Sequence, residues 1–326
     1  MLDEASESTL KARARQKIER DMGEALLTAL KAPNTVEIML NADGQIWHER
    51  LGEPMRRIGT LRPAQAQSII ETVAGYHGKE VTRRSPVLEG EFPLDGSRFA
   101  GQLPPVVMAP TFAIRKRAVA IFRLADYVGS EIMTQSQAAL IRDAVVGRRN
   151  ILVVGGTGSG KTTLVNAIIA EMVQQNPDER LVIIEDTGEI QCAAINCVLY
   201  HTTAEVGMTR LLKTTLRMRP DRILVGEVRG PEALDLLMAW NTGHEGGAAT
   251  LHANNARAGL DRLAMLISMH PDSPKPIEPL IGEAVHVIVH IVRTAAGRRV
   301  QEIVGVSGYE NGSYTMQSLA GGTYEA

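Results

Sequence analysis

Eight consecutive residues, Gly155-Gly156-Thr157-Gly158-Ser159-Gly160-Lys161-Thr162, interleave glycines with small hydroxyl residues and close on a lysine and a hydroxyl. An apolar run of strand length, Ile151-Leu152-Val153-Val154, stands before them. After them, Thr163 to Gln175 spaces Leu164, Ile168, Ile169 and Met172 to cover one helical face. Strand, glycine loop and helix in this order let backbone N–H groups converge on a phosphate at a helix N-terminus, where the dipole favours an anion. The spacing predicts a nucleoside triphosphate cradle formed by Gly155, Gly156, Thr157, Gly158, Ser159, Gly160, Lys161, Thr162 and Thr163. Lys161 is expected to bridge the β- and γ-phosphates of ATP, and the Thr162 hydroxyl to hold Mg²⁺.

Cleaving the γ-phosphate with water needs ligands for the metal, a group that activates the water, and positive charge at the transferred group. In an open α/β sheet such groups lie at the carboxyl ends of the strands. Ile183-Ile184-Glu185-Asp186 places two acids just past a buried run, as metal-site carboxylates or as caps for the segment that follows. Ile223-Leu224-Val225-Gly226-Glu227 ends a second run on Glu227. Phosphate-loop ATPases ordinarily put an aspartate before this glutamate, but here the place belongs to Gly226. The departure shifts the metal role toward Glu185 and Asp186 and leaves Glu227 to activate the water, with Glu185 the next choice of base. A third run ends Thr250-Leu251-His252, from which His252 would sense or polarise the γ-phosphate. Positive charge is available from Arg98 and Arg115-Lys116-Arg117, and from Arg217, Arg219 and Arg229; of the second set, Arg229 lies in the acidic box itself. On its own such a cluster is a solvated face.

Those side chains need a sheet to hold them. Leu181–Ile184, Ile223–Val225 and Gly247–His252 read as buried strands, and Arg210–Arg219, Pro231–Trp240 and 256–269 as helices between them. Strands apolar on both faces and alternating with helices predict a mainly parallel sheet, an α/β RecA-like P-loop NTPase core. From His286 the tail reads as antiparallel, with a turn at Gly297. Residues 9–30 read as an amphipathic helix and Val36–Arg50 as a hairpin turning at Asn41–Gly44; Arg62–Tyr76 is a further helix, and 86–123 carry more strands. The expected division is a smaller N-terminal α+β domain over 1–123, a helix-bearing linker over 124–148, and the RecA-like ATPase domain over 149–326.

Composition narrows the function classes. A chain of 326 residues with 44% hydrophobic and 22% charged residues is an ordinary globular protein of roughly two domains. A net charge of −2 and 4% aromatics weigh against a dedicated nucleic-acid binder. Two cysteines, Cys192 and Cys197, make no disulfide framework and fit no metal knuckle, so they are expected as free thiols. The first residues lack an apolar signal segment, and no run approaches a membrane span. The expectation is a cytoplasmic protein, any membrane association of which would be peripheral.

The order of four boxes adds a resemblance. The phosphate loop, Ile184-Glu185-Asp186, Leu224-Val225-Gly226-Glu227-Val228-Arg229-Gly230 and Thr250-Leu251-His252-Ala253-Asn254 follow one another as in the secretion ATPase superfamily of type II secretion, type IV secretion and pilus-retraction motors. Leu103-Pro104-Pro105-Val106-Val107 followed by Phe112-Ala113-Ile114-Arg115-Lys116 is similar to the conjugative type IV secretion branch. The resemblance covers about residues 10–310. It implies a homohexameric ring with nucleotide between the N-terminal and RecA-like domains at the subunit boundary. It also implies partners among the other type IV secretion components at the inner membrane, with no sequence-specific nucleic acid expected. Within that ring Arg98, Arg115 and Arg117 become possible nucleotide contacts, one of them reaching a neighbour's γ-phosphate, with Arg115 ahead of the other two. The competing class is a RecA-like nucleic-acid translocase, which would show basic or aromatic pore loops.

Overall fold

The computed structural model describes residues 4–50, 53–116, 122–203 and 205–321, in two compact units, 1–119 and 120–326. In the first unit α1 (Glu4–Lys31), kinked at Gly23, leads into β1 (Thr35–Leu40), β2 (Gln45–Arg50) and β3 (Arg56–Thr60). Then come α2 (Pro63–Tyr76), β4 (Val87–Glu91), β5 (Arg98–Gln102) and β6 (Thr111–Arg115). The strands form one antiparallel sheet in the order β3-β2-β1-β6-β5-β4. Ile18, Met22 and Leu26 of α1 and Ile69, Ile70 and Val73 of α2 recur at helical spacing, so both helices bury a stripe. That stripe lies against Ile38, Phe99, Phe112 and Ile114 of the sheet. The predicted 41–44 turn is present, closed by Asn41 N–H to Gln45 O at 3.1 Å.

The second unit opens with α3 (Leu124–Gly129) and α4 (Gln135–Val146), then β7 (Ile151–Gly155) and α5 (Lys161–Gln175). Next are β8 (Leu181–Glu185), β9 (Cys197–His201), α6 (Met208–Thr215), β10 (Arg222–Val228), α7 (Glu232–Trp240), β11 (Ala248–His252) and α8 (Ala256–Ser268). It closes with α9 (Glu278–Ala284), β12 (Val287–Thr294), β13 (Gly297–Glu310) and β14 (Ser313–Ala320). Among the described residues these strands make one sheet ordered β14-β13-β12-β7-β11-β10-β8-β9. From β12 to β9 neighbours run parallel; β13 and β14 are antiparallel.

Period-two alternation splits each central strand between two helical layers. Leu152 and Val154 of β7 face the α7–α8 layer with Leu237, Leu260 and Leu263. Ile151 and Val153 face the α4–α5 layer with Ile141, Leu164 and Ile168. Every residue of β7 and β8 is buried, which is why these strands read as unbroken apolar runs. This is the α/β RecA-like core expected, and the first unit is the smaller α+β one.

Several local readings change. Residues 124–148 hold α3 and α4, whose Leu124, Tyr127, Ile141 and Val145 are buried against α5. The helix expected over 210–219 spans Met208–Thr215, and Arg219 stands beyond it at φ 52°. The tail is only partly antiparallel, because β12 joins β7 in parallel before β13 turns back. The edge strand β9 is half exposed although its Cys197-Val198-Leu199-Tyr200 run is apolar.

Candidate active site

Parallel strands place their carboxyl ends along one edge of the sheet, so β7, β11, β10 and β8 bring Gly155, His252, Glu227 and Glu185 to one row of positions. His252 pairs with Gly155 in register, and β10 slips register between Val225 and Val228, around Gly226 and Glu227. Such a slip re-aims a side chain at a strand end.

The loop between β7 and α5 ends at Gly160, whose φ of 95° lies in the left-handed region that glycine reaches without Cβ strain. Lys161 starts α5 and is buried, its ammonium donating to the carbonyls of Gly155 and Gly156 at 2.9 Å each. Thr162 and Thr163 follow on the first turn, where N–H groups have no intrahelical acceptor. Ser159 Oγ is buried in the same loop, with no hydrogen-bond partner among the described residues. An orphaned hydroxyl beside the first turn of a helix, whose leading N–H groups have no intrahelical acceptor, fits a bound phosphate chain.

From Lys161 a continuous polar chain runs across the sheet edge. Lys161 Nζ donates to His252 Nδ1 at 3.3 Å, and His252 Nε2 lies 2.9 Å from Glu227 Oε1. The other Glu227 oxygen accepts from Arg229 Nη2, whose Nη1 reaches Asp186 Oδ2 at 3.4 Å. Asp186 Oδ1 in turn accepts from the Thr202 hydroxyl at 2.9 Å. An ammonium offers no acceptor, so Nδ1 must accept and Nε2–H must donate to Glu227, which sets the His252 tautomer. Burial and then the Lys161 charge pull the His252 pKa below its ordinary value, against the opposite pull of Glu227. The hydrogen bond to Glu227 holds Arg229 more firmly protonated.

This geometry has a pH signature. With its folded pKa depressed, His252 favours the neutral form in the native state, and its contribution is intact above its unfolded pKa of about 6.5. It is lost as pH falls from there toward the folded pKa, since the unfolded chain takes up the proton first. Histidine proton NMR is expected to give a His252 midpoint below about 6.5 that rises in Lys161→Ala. A midpoint unmoved by that substitution would break the Lys161–His252 link.

Glu185 takes a different position. It is buried, and its Oε2 accepts from the N–H groups of Glu189 (2.8 Å) and Ile190 (3.0 Å), pinning the segment after β8. The glycine at 226 follows from this packing: a Cβ there would meet Glu185 Cβ at 2.8 Å. Gly226→Asp is therefore expected to lower stability by about 1–3 kcal/mol, seen as a lower melting temperature, rather than supply a metal ligand. An unchanged melting temperature would show that the two strands have room for the side chain.

Of the sequence-predicted residues, the structure joins Lys161, His252, Glu227, Arg229 and Asp186, and sets Glu185 beside them. Arg115 belongs to the first unit, where it pairs across β6–β1 with Glu37 and across β6–β5 with Arg98. Burial raises the Glu37 pKa while the Arg115 and Arg98 charges lower it. Arg117 lies outside the described residues. Sequence reasoning missed Arg293 and Arg298, both of which reach the phosphate loop from the β12–β13 hairpin. The basic turn Gly297-Arg298-Arg299 was the only sign of them.

A RecA-like core whose phosphate loop meets a histidine, a glutamate and an arginine at neighbouring strand ends defines a P-loop ATPase. The chain belongs to the Type II/IV secretion system protein family, matching it over residues 25–319. It is 50% identical over 305 residues to the "Conjugal transfer protein TrbB" of Rhizobium radiobacter, with 94% of each chain covered. It is 51% identical over 303 residues to the "Probable conjugal transfer protein TrbB" of Sinorhizobium fredii, with 93% of each covered. The X-ray structure of the Yersinia pseudotuberculosis ATPase DotB has the same fold, with a TM-score of 0.62 at 19% identity over 87% of this chain and 79% of that one.

Proposed function

We propose that this ATPase energises a conjugal-transfer type IV secretion apparatus, working as a homohexamer peripheral to the cytoplasmic face of the inner membrane. Relatives over nine-tenths of its length bear conjugal-transfer names. Among the described residues no helix is long and apolar enough to cross a membrane, which suits a peripheral location. The observation that carries the catalytic part is the Lys161–His252–Glu227–Arg229–Asp186 chain.

In this reading the loop and Lys161 bind the phosphates of ATP, and Glu227 takes the proton of the attacking water. Lys161 exchanges the Gly155 and Gly156 carbonyls for phosphate oxygens, which withdraws its hydrogen bond from His252. His252 and Arg229 hold the two Glu227 oxygens, so nucleotide occupancy is relayed to the base. Mg²⁺, which Thr162 and Asp186 would hold, supplies neutralising charge on the phosphates. Glu185, the other carboxylate of the expected metal set, keeps the 186–190 segment in place through the N–H groups of Glu189 and Ile190. Arg115 is our choice for the cation that a neighbouring subunit contributes; such a group is worth on the order of 10³–10⁵ in rate.

Light scattering with and without a non-hydrolysable ATP analogue and Mg²⁺, with turnover followed against protein concentration, tests the assembly. A six-subunit mass and rising specific activity are expected. A monomer with concentration-independent turnover would remove the shared site.

A further inference from the structure

We propose that the β12–β13 hairpin is part of the nucleotide site: Arg298 positions the phosphate loop, and Arg293 contacts the phosphates that are not transferred. The proposal rests on reading the loop as a nucleotide cradle. Arg298 Nε donates to the Gly158 carbonyl at 3.4 Å, and its Cδ would lie 3.0 Å from a Cβ at Gly160. Arg293 Nη1 would lie 3.5 Å from a Cβ at Gly158. Two guanidinium groups from a segment more than a hundred residues downstream thus cover the turn that gathers the loop N–H groups.

The hairpin is held firmly enough for this. Thr294 Oγ1 donates to Gly297 O at 2.9 Å across the turn, and Val300 N donates to Ile132 O at 2.7 Å. Further along β13, the buried Glu302 accepts from Ala256 N at 2.8 Å at the start of α8, four residues after His252. The same strand therefore touches the phosphate loop at one point and the helix behind the histidine at another.

Strand order tells which phosphates the arginines meet. β7, which leads into the loop, is bordered by β12 on one side and by β11 on the other, and His252, Glu227 and Arg229 all come from the β11–β10 side. Hydrolysis belongs to that side, so the hairpin flanks the loop toward the α- and β-phosphates. A guanidinium suits phosphate oxygens through paired, charge-assisted hydrogen bonds. ADP and ATP share these phosphates and the loop that holds them, so Arg293 by contact and Arg298 through the loop favour the two nucleotides alike, whereas Glu227 and His252 separate them.

The test measures binding of a fluorescent ADP and of a non-hydrolysable ATP analogue to the full chain and its variants, alongside turnover and melting temperature. Arg293→Gln and Arg298→Met are each expected to weaken both ligands about tenfold, with KM rising in step and kcat falling by less. Arg298→Lys, which keeps a cation and a donor, should recover part of the loss. Melting without nucleotide should move little, while the stabilisation added by ADP should shrink. Affinities within about twofold of the parent in both arginine variants, while Lys161→Ala loses binding, would overturn the proposal and leave the loop reading intact. Weakening of the ATP analogue alone would put the arginines at the γ-phosphate and overturn it too. Retained binding in Lys161→Ala would instead sink the loop reading itself. Should Arg298→Met misfold, the exposed Arg293 carries the same test.

Discussion

Lys161→Ala is expected to cut ATP turnover by at least about 10³-fold, equivalent to roughly 4 kcal/mol of lost transition-state stabilisation. The effect is large because the ammonium is buried at the start of α5, where water screens it poorly. Its present partners are two loop carbonyls and His252, and none of them stands in for a cation once phosphates carry the charge. Nucleotide affinity should fall as well. The fold should survive, because the two apolar clusters that hold the sheet are built from other residues. Turnover within about tenfold of the parent, in a preparation with native circular dichroism, would show that the loop is not the catalytic phosphate site.

Glu227→Gln is expected to separate binding from cleavage. Loss of a general base costs about 10²–10⁴ in rate, while the amide matches the carboxylate in size and leaves the loop untouched. The amide nitrogen offers donors, so it cannot satisfy both Arg229 and His252 as two carboxylate oxygens do. One contact is therefore lost along with the charge. Because Glu227 raises the His252 pKa against burial and Lys161, the variant should also lower the His252 midpoint further. Bound but uncleaved ATP, together with that shift, is the expected pair of results. Retained turnover would move the base elsewhere. Glu185, the next choice from sequence, would then be tested by the same substitution; its Oε2 accepts from the N–H groups of Glu189 and Ile190.

How far the sequence could be read depended on how local each signal was. The loop, with its strand and helix, is written in some two dozen consecutive residues, and β7, α5, β8 and β11 lie where apolar runs and helical spacing put them within a residue or two. Turn chemistry marked the 41–44 hairpin for the same reason. Edge and terminal elements were harder. β9 is a five-residue edge strand whose apolar run is only partly buried, and α9 is seven residues long, too short for periodicity to build up. The tail was read as antiparallel because hairpin signals are local, whereas the pairing of β12 with β7 joins residues more than a hundred positions apart.

By itself, the order of residues determined that this chain binds a nucleotide on a RecA-like sheet, and that acids, a histidine and arginines stand at the strand ends. Each of those statements needs only a motif and the period of the element next to it. Tertiary structure alone decided how those groups are arranged. Strand order placed His252 between Lys161 and Glu227, across 91 and 25 positions of sequence. The slip in β10 and the close approach at Gly226 settled the placing of Glu227 and Glu185. The return of β12 alongside β7 brought Arg298 to Gly158 across 140 positions. Side-chain direction follows from register and sheet order, which are properties of long-range pairing, and no local pattern carries them.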